Sequence, residues 1–247
     1  MPSSDVPPSH PRYLSLMARE KIVRGVERGI TSLHGLIAHG RGEAFDYLLG
    51  EVTHRFAADA VEAGCAMLLT ASHPVISVNG NACALAAEEL VALANITGAV
   101  LEVNIFHTSP EREQAIRQAL LEAGAKKVLM PSRTHALEHI DHNRRWVHPD
   151  GIHLADVVCV PLEDGDRCEA LIKNGKRVVT IDLNPLSRTA RMATVTIVDN
   201  LTRCLPLLVN CAAELGGAGK GKLAALAAGW NNAAALLAAE NRMRQLS

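Results

Sequence analysis

KRVVTIDLNPLSRTARMATVTIVDNL, residues 176–201, holds two short β-branched runs with a polar turn between them. Residues 177–181 and 194–198 each read as a buried strand, because a short β-branched, apolar run is bounded by polar or turn-forming residues. Between them Asn184-Pro185 breaks the first run, and Asp182, Asn184, Ser187, Arg188 and Arg191 replace apolar side chains. Ligands of open α/β sheets bind beyond the carboxyl ends of strands. Asp182, Asn184 and Asn200 are therefore candidate ligand contacts, and Arg188 and Arg191 are suited to paired hydrogen bonds with phosphate or carboxylate. Strand-end Asp and Asn also shape turns without any ligand, so from this stretch alone both readings stay open.

Working outward, helix and strand signals alternate. Helices are expected over 52–72, 87–97, 110–124, 168–174 and 201–215, and strands over 74–78, 100–105, 127–130 and 156–161. This rhythm predicts an α/β fold with a mostly parallel sheet flanked by helices. Additional helices are expected at both ends, over 11–29 and 223–246. Residues 1–9 are Pro-rich and read as a mobile leader, and 216–222, GGAGKGK, as a flexible linker, since no strand precedes it and no Ser or Thr follows either Gly-Lys. The chain is read as one domain.

Several strand ends carry chemistry. Residues 34–47, HGLIAHGRGEAFDY, place glycine on both sides of Arg41 before a short helical run, the pattern of a loop cradling an anion at a helix N-terminus. Asn79-Gly80-Asn81 follows the strand at 74–78 and reads as a ligand contact or a tight turn. Glu163, Asp164 and Asp166 follow the strand at 156–161, where they would hold Mg²⁺, orient an amine, or cap the next helix. The less regular 131–153 segment holds five of the eleven histidines. There His135, Glu138 and His139 match the H-x-x-E-H pattern of a zinc-peptidase class, with His142 a further candidate, which gives a zinc hydrolase as an alternative. No resident metal site is assigned.

Composition narrows the function. A formal net charge of −1 offers no basic surplus for nucleic acid, and no apolar run reaches membrane-spanning length. The six cysteines include no Cys-x-x-Cys pair and sit in apolar patterns, as expected of reduced core residues in a cytoplasmic protein.

Five blocks, SHPRYLSLMAREK, GLIAHGRGEAFDYLLGE, HPVISVNGN, ADVVCVPLEDGDR, and TIDLNPLSRTARMA followed by VDN, together resemble the successive signature blocks of the archaeal phosphopantothenate synthetases, the 4-phosphopantoate:beta-alanine ligases. The likeness runs from about residue 9 to residue 215. It implies a Rossmann-like core, a homodimer, and a ligase of coenzyme A biosynthesis. Such an enzyme joins 4-phosphopantoate to β-alanine and yields 4'-phosphopantothenate, AMP and pyrophosphate through an acyl-adenylate. By matching motif positions the resemblance implies ATP contacts at Arg19, Arg41, Asp182, Leu183, Asn184, Arg188, Thr189, Asn200 and Leu201. Arg19, Arg41 and Arg188 are expected to supply cationic stabilisation, Mg²⁺ to bridge ATP oxygens, and Asn79, Asn81 and Asp164 to contact phosphopantoate or β-alanine. A non-catalytic nucleotide-sensing module is the other alternative, because a Rossmann-like fold does not fix function.

Overall fold

The computed structural model describes residues 6–245. The first five residues of the expected leader and the last two of the chain lie outside them. The strands are β1 Pro74–Val78, β2 Val100–Val103, β3 Val128–Leu129, β4 Val157–Pro161, β5 Arg177–Ile181 and β6 Val195–Ile197. They form one parallel sheet in the order β3-β2-β1-β4-β5-β6. The helices are α1 Tyr13–Glu27, α2 Leu33–Leu49, α3 Arg55–Thr70, α4 Gly80–Thr97, α5 Pro110–Glu122, α6 Gly165–Lys173, α7 Arg188–Met192, α8 Leu201–Leu215, α9 Lys220–Ala228 and α10 Asn232–Arg244.

The strands are mostly apolar and almost wholly buried because both faces of the sheet are covered. Successive side chains point to opposite faces. Ile76, Val78, Val103, Cys159, Val179, Ile181, Val195 and Ile197 belong to one core with α3, α4, α5 and α8. Val75, Val158, Val160 and Val178 pack on the other face with Cys168 and Leu171 of α6. Leu137, Ile140, Val147 and Ile152 of the β3–β4 crossover complete that second layer. The crossover carries only a short 3₁₀ turn at Asn143–Arg145 and a π turn at Pro149–His153. Its anchor is Glu102 of β2, which is fully buried and accepts hydrogen bonds from the backbone N–H of His148, at 2.9 Å, and of Ile152, at 2.7 Å. A Cβ at Gly151 would collide with the Glu102 carboxylate, so the close approach needs glycine there. Burial pushes the Glu102 carboxyl up to about 7, against the pull of these two N–H donors.

Three expectations change. The helix read from residue 87 begins at Gly80, and bends at Ala86. Asn79 is its N-cap and accepts from the Ala82 N–H, so the amide that resembled a free turn residue starts a helix. The C-terminal helix read over 223–246 is two helices with a break at 229–231, and the expected linker shortens to a turn because α9 already begins at Lys220. Leu223 docks α9 in the main core, and Leu236 and Ala239 dock α10 on Leu49, Leu183, Ala190 and Val198. The third, at residues 34–47, bears on the cavity described next.

Candidate active site

A cavity of about 640 Å³ opens at the carboxyl end of the sheet, within the ~300–1,000 Å³ typical of small-molecule sites. Its walls come from residues that follow β1 (Asn79–Asn81), β2 (Ile105–His107), β4 (Leu162–Asp164), β5 (Asp182–Asn184) and β6 (Asn200, Leu201). Strand order reverses between β1 and β4, so the cavity sits at the topological switch point. Asn79, Asp164 and Asn200 immediately precede α4, α6 and α8. Three helix N-termini therefore face the same space and favour anions there.

The β5–β6 side is rigid. Asp182 accepts from the Asn184 N–H at 2.9 Å and from the Ser187 hydroxyl, which closes the turn after β5. Burial raises the Asp182 carboxyl above its ordinary range, while Ser187 and the charge of Arg41 pull the other way. Arg41 itself makes no ion pair among the described residues and lines the cavity. Asn200 donates to Asp46 of α2 at 2.8 Å, and Arg203 bridges Asp46 and Asp199. This network fastens α2, which roofs the cavity, to the start of α8.

The centre of the floor is an ion cluster. Glu163 accepts from both Arg144 and Arg167, and Arg144 also reaches Asp164 at 2.9 Å and the Asn104 side chain at 2.9 Å. Leu162 holds a left-handed φ of 55°, a conformation that costs a side-chain-bearing residue about 1 kcal/mol or more. Asn79 stabilises it by donating to the carbonyls of Pro161, at 2.8 Å, and Leu162, at 3.0 Å. Asn81 links the other wall by accepting from the Thr31 hydroxyl and donating to the Gly35 carbonyl.

On the roof, Glu43 pairs with Arg19 of α1 at 2.9 Å and lies 3.9 Å from His39. His39 Nε2 is buried and has no hydrogen-bond partner. Burial lowers its pKa below the usual histidine value, and the Arg19 charge adds to this against Glu43. His39 is therefore a neutral imidazole inside the cavity at neutral pH.

Of the nine positions expected to meet ATP, Arg41, Asp182, Leu183, Asn184, Asn200 and Leu201 line the cavity together. Arg19 stands behind Glu43. Arg188 pairs with Glu169 on the surface, and Thr189 is buried with its hydroxyl on the Glu163 carbonyl. Asn79, Asn81 and Asp164 all line the cavity, but both amides are already engaged within the protein, while the Asp164 side chain is 51% exposed.

The expected glycine loop around Arg41 does not exist, because residues 33–49 form one continuous helix and its N-terminus is at Leu33. Gly40 faces open space, whereas Gly35 meets Asn81 and Thr31 so closely that a Cβ would lie 2.3 Å from each. The zinc pattern also fails: the 135–139 segment is not helical, so His135 and His139 do not share a helix face, and His135 instead packs on His153. Among the described residues no three potential ligands converge on a metal position. All three acids after β4 are paired: Glu163 with two arginines, Asp166 with His142 at 2.7 Å, and Asp164, the most exposed of them, with Arg144 at 2.9 Å. Arg112, Arg144 and Ile105–His107 are wall residues that the sequence reading passed over. Arg144 lies in a segment without periodicity, and Arg112 is one of several charges in PEREQAIR, residues 110–117, with nothing local to set it apart.

The model of the phosphopantothenate/pantothenate synthetase family matches residues 56–246. The 4-phosphopantoate--beta-alanine ligase of Methanosarcina mazei is 53% identical over 229 residues, 93% of this chain and 90% of the relative. The ligase of the same name from Thermococcus kodakarensis is 52% identical over 212 residues, 85% of this chain and 81% of its own. That of Methanospirillum hungatei is 53% identical over 210 residues, 85% of this chain and 86% of its own.

Proposed function

The chain belongs to the phosphopantothenate/pantothenate synthetase family, and on that footing we propose that it is an ATP-dependent 4-phosphopantoate:β-alanine ligase of coenzyme A biosynthesis. The observation that carries this reading is the meeting of distant stretches around one cavity: 35–45, 79–81, 162–164, 182–184 and 200–201. The whole chain is read as one ligase domain of the cytoplasm.

In the proposed first step an oxygen of the 4-phosphopantoate carboxylate forms a bond to the α-phosphorus of ATP, the bond to the β-phosphate oxygen breaks, and pyrophosphate leaves. Two anions meet in this step, so positioning and fixed positive potential lower the barrier, with no need for a protein nucleophile. Arg41 and the N-termini of α4 and α8 provide that potential. Asp182, Leu183, Asn184, Asn200 and Leu201 form the nucleotide wall, with Arg188 and Thr189 supporting the turn behind it. Arg19 acts through Glu43, which it holds against the roof. Mg²⁺ arriving with the nucleotide would neutralise part of the triphosphate charge, and Asp164, half-exposed and shared with Arg144, is the carboxylate that would help to hold it.

In the second step the β-alanine nitrogen attacks the acyl carbon, the C–N bond forms, and AMP leaves with the bonding pair of the acyl–oxygen bond. The amine must arrive or become neutral, and His39, an unpartnered neutral imidazole in the cavity, is the group suited to take its proton. Asn79 and Asn81 shape the acid-substrate wall, their side-chain amides being bound to the protein.

We also read the protein as a homodimer. Leu33, Ile37 and Leu48 of α2 and Leu14 of α1 are exposed, Ile37 at 72%, and such apolar surface suits a second copy. The adenylate route is tested by exchange of labelled pyrophosphate into ATP: it should require 4-phosphopantoate and proceed without β-alanine. Exchange that fails under these conditions while amide is still formed removes the adenylate.

A further inference from the structure

Three arginines line the cavity: Arg41, Arg112 and Arg144. The Arg144 guanidinium is consumed by Glu163, Asp164 and Asn104. Arg41 and Arg112 have no carboxylate within ion-pairing distance among the described residues, and they belong to opposite halves of the cavity. Arg41 lies toward Asp182, beyond β5. Arg112, in the first turn of α5, lies beyond β2.

Arg112 is held ready. Its Nη1 donates to the His107 carbonyl at 2.8 Å, which fixes the side chain across the β2–α5 connection. Its Nε–H is buried and has no acceptor, an arrangement that costs free energy unless an acceptor arrives. Burial alone lowers its pKa, with no anion opposing. The His107 ring lies tilted against His34 of α2, with centroids 4.9 Å apart, and meets Phe106 edge to face at 4.9 Å. An arginine and two imidazoles thus share one corner of the cavity, and no acidic side chain is paired to any of them in the described residues.

We propose that Arg112, with His107 and His34 beside it, binds the phosphate monoester of the acid substrate and makes the enzyme select the phosphorylated acid over the free one. The assignment rests on the ligase reading. With the nucleotide on the β5–β6 side and the reacting carboxylate near the switch point, the far end of the acid substrate extends toward β2 and α5. A guanidinium matches a phosphate dianion with two parallel hydrogen bonds, which a neutral hydroxyl in the same place cannot replace.

The test compares wild type with Arg112→Ala and the charge-retaining Arg112→Lys, measuring binding of 4-phosphopantoate and of pantoate to nucleotide-free protein, then steady-state ligation. Arg112→Ala should weaken 4-phosphopantoate binding and raise its KM by roughly 10- to 100-fold, leave pantoate binding unchanged and the KM for ATP within about twofold. Arg112→Lys should recover part of the loss. Equal loss for both acids, a rise in the KM for ATP instead, or unchanged 4-phosphopantoate binding overturns the subsite. Wild-type protein that binds the phosphorylated acid in an Arg112-dependent way yet forms no amide would sink the ligase reading and leave the subsite standing.

Discussion

Arg144 and Glu163 form a two-point ion pair beneath the cavity floor, with side chains 3% and 1% exposed. Arg167 shares the same carboxylate from a fully buried position. Removing one partner of such a cluster leaves an uncompensated charge, so Glu163→Ala should cost about 3–5 kcal/mol in denaturant unfolding. Glu163→Gln, which keeps an acceptor, should cost less. A loss below about 1 kcal/mol for the alanine variant would mean that solvent reaches the cluster.

Two glycines near the roof should behave oppositely. A Cβ on Gly80 would lie 2.5 Å from the Ile30 carbonyl oxygen, which is backbone and cannot swing aside. Gly80→Ala should lower stability by about 1–3 kcal/mol and lower kcat/KM as the α1–α2 turn shifts. Gly40 sits mid-helix with nothing within 4 Å of its Cβ position, so Gly40→Ala should stabilise by about 0.5–1 kcal/mol. Thermal melts and initial rates on both variants decide this; a Gly40→Ala enzyme that melts earlier would reinstate a loop around Arg41.

Stability should fall as pH rises through neutrality because of Glu102. Its folded pKa of about 7 lies above the ordinary value of 4.5, so the folded state holds the proton more tightly. The resulting stabilisation is present in full below about pH 4.5 and is lost as pH rises through about 7, a difference on the order of 3 kcal/mol. Urea midpoints between about pH 5 and pH 8 should decline in wild type and flatten in Glu102→Gln. An identical slope in both proteins assigns the dependence elsewhere.

The proton acceptor predicts a pH profile. His39 has a pKa below the usual 6.5, so amide formation should be level at neutral and alkaline pH and fall only as the imidazole becomes protonated in acid. His39→Gln should remove that acid limb and lower kcat by about 100-fold, while pyrophosphate exchange into ATP continues. Loss of exchange to the same extent would place His39 in the first step or in binding.

The sheet was legible because both faces are covered: the 177–181 and 74–78 runs are short, Val- and Ile-rich stretches bounded by Asp182 and Asn79, and these bounds follow directly on the strand ends. The acids and amides at those ends were legible too, since strand-end polarity coincides with the cavity. Gly40 and Gly42 misled because glycine permits a loop without requiring one, and the burial of Asp46 and Leu49 carries the helix through them. Arg144 was hidden because its partners Glu163 and Asn104 lie 19 and 40 residues away, and no local pattern announces a contact made across the sheet. The division of labour between Arg112 and Arg144 was hidden for the same reason: both are plain surface-type charges in the sequence, and only the fold gives one its carboxylates and leaves the other without.

Incubation of the purified protein with ATP, Mg²⁺, 4-phosphopantoate and β-alanine, with separate quantification of AMP, ADP and 4'-phosphopantothenate, tests the central claim most directly. The account predicts 4'-phosphopantothenate and AMP in equal amounts, with formation of both dependent on the acid and the amine together. Folded protein that binds ATP but forms no amide, with neither AMP nor ADP released, would contradict it.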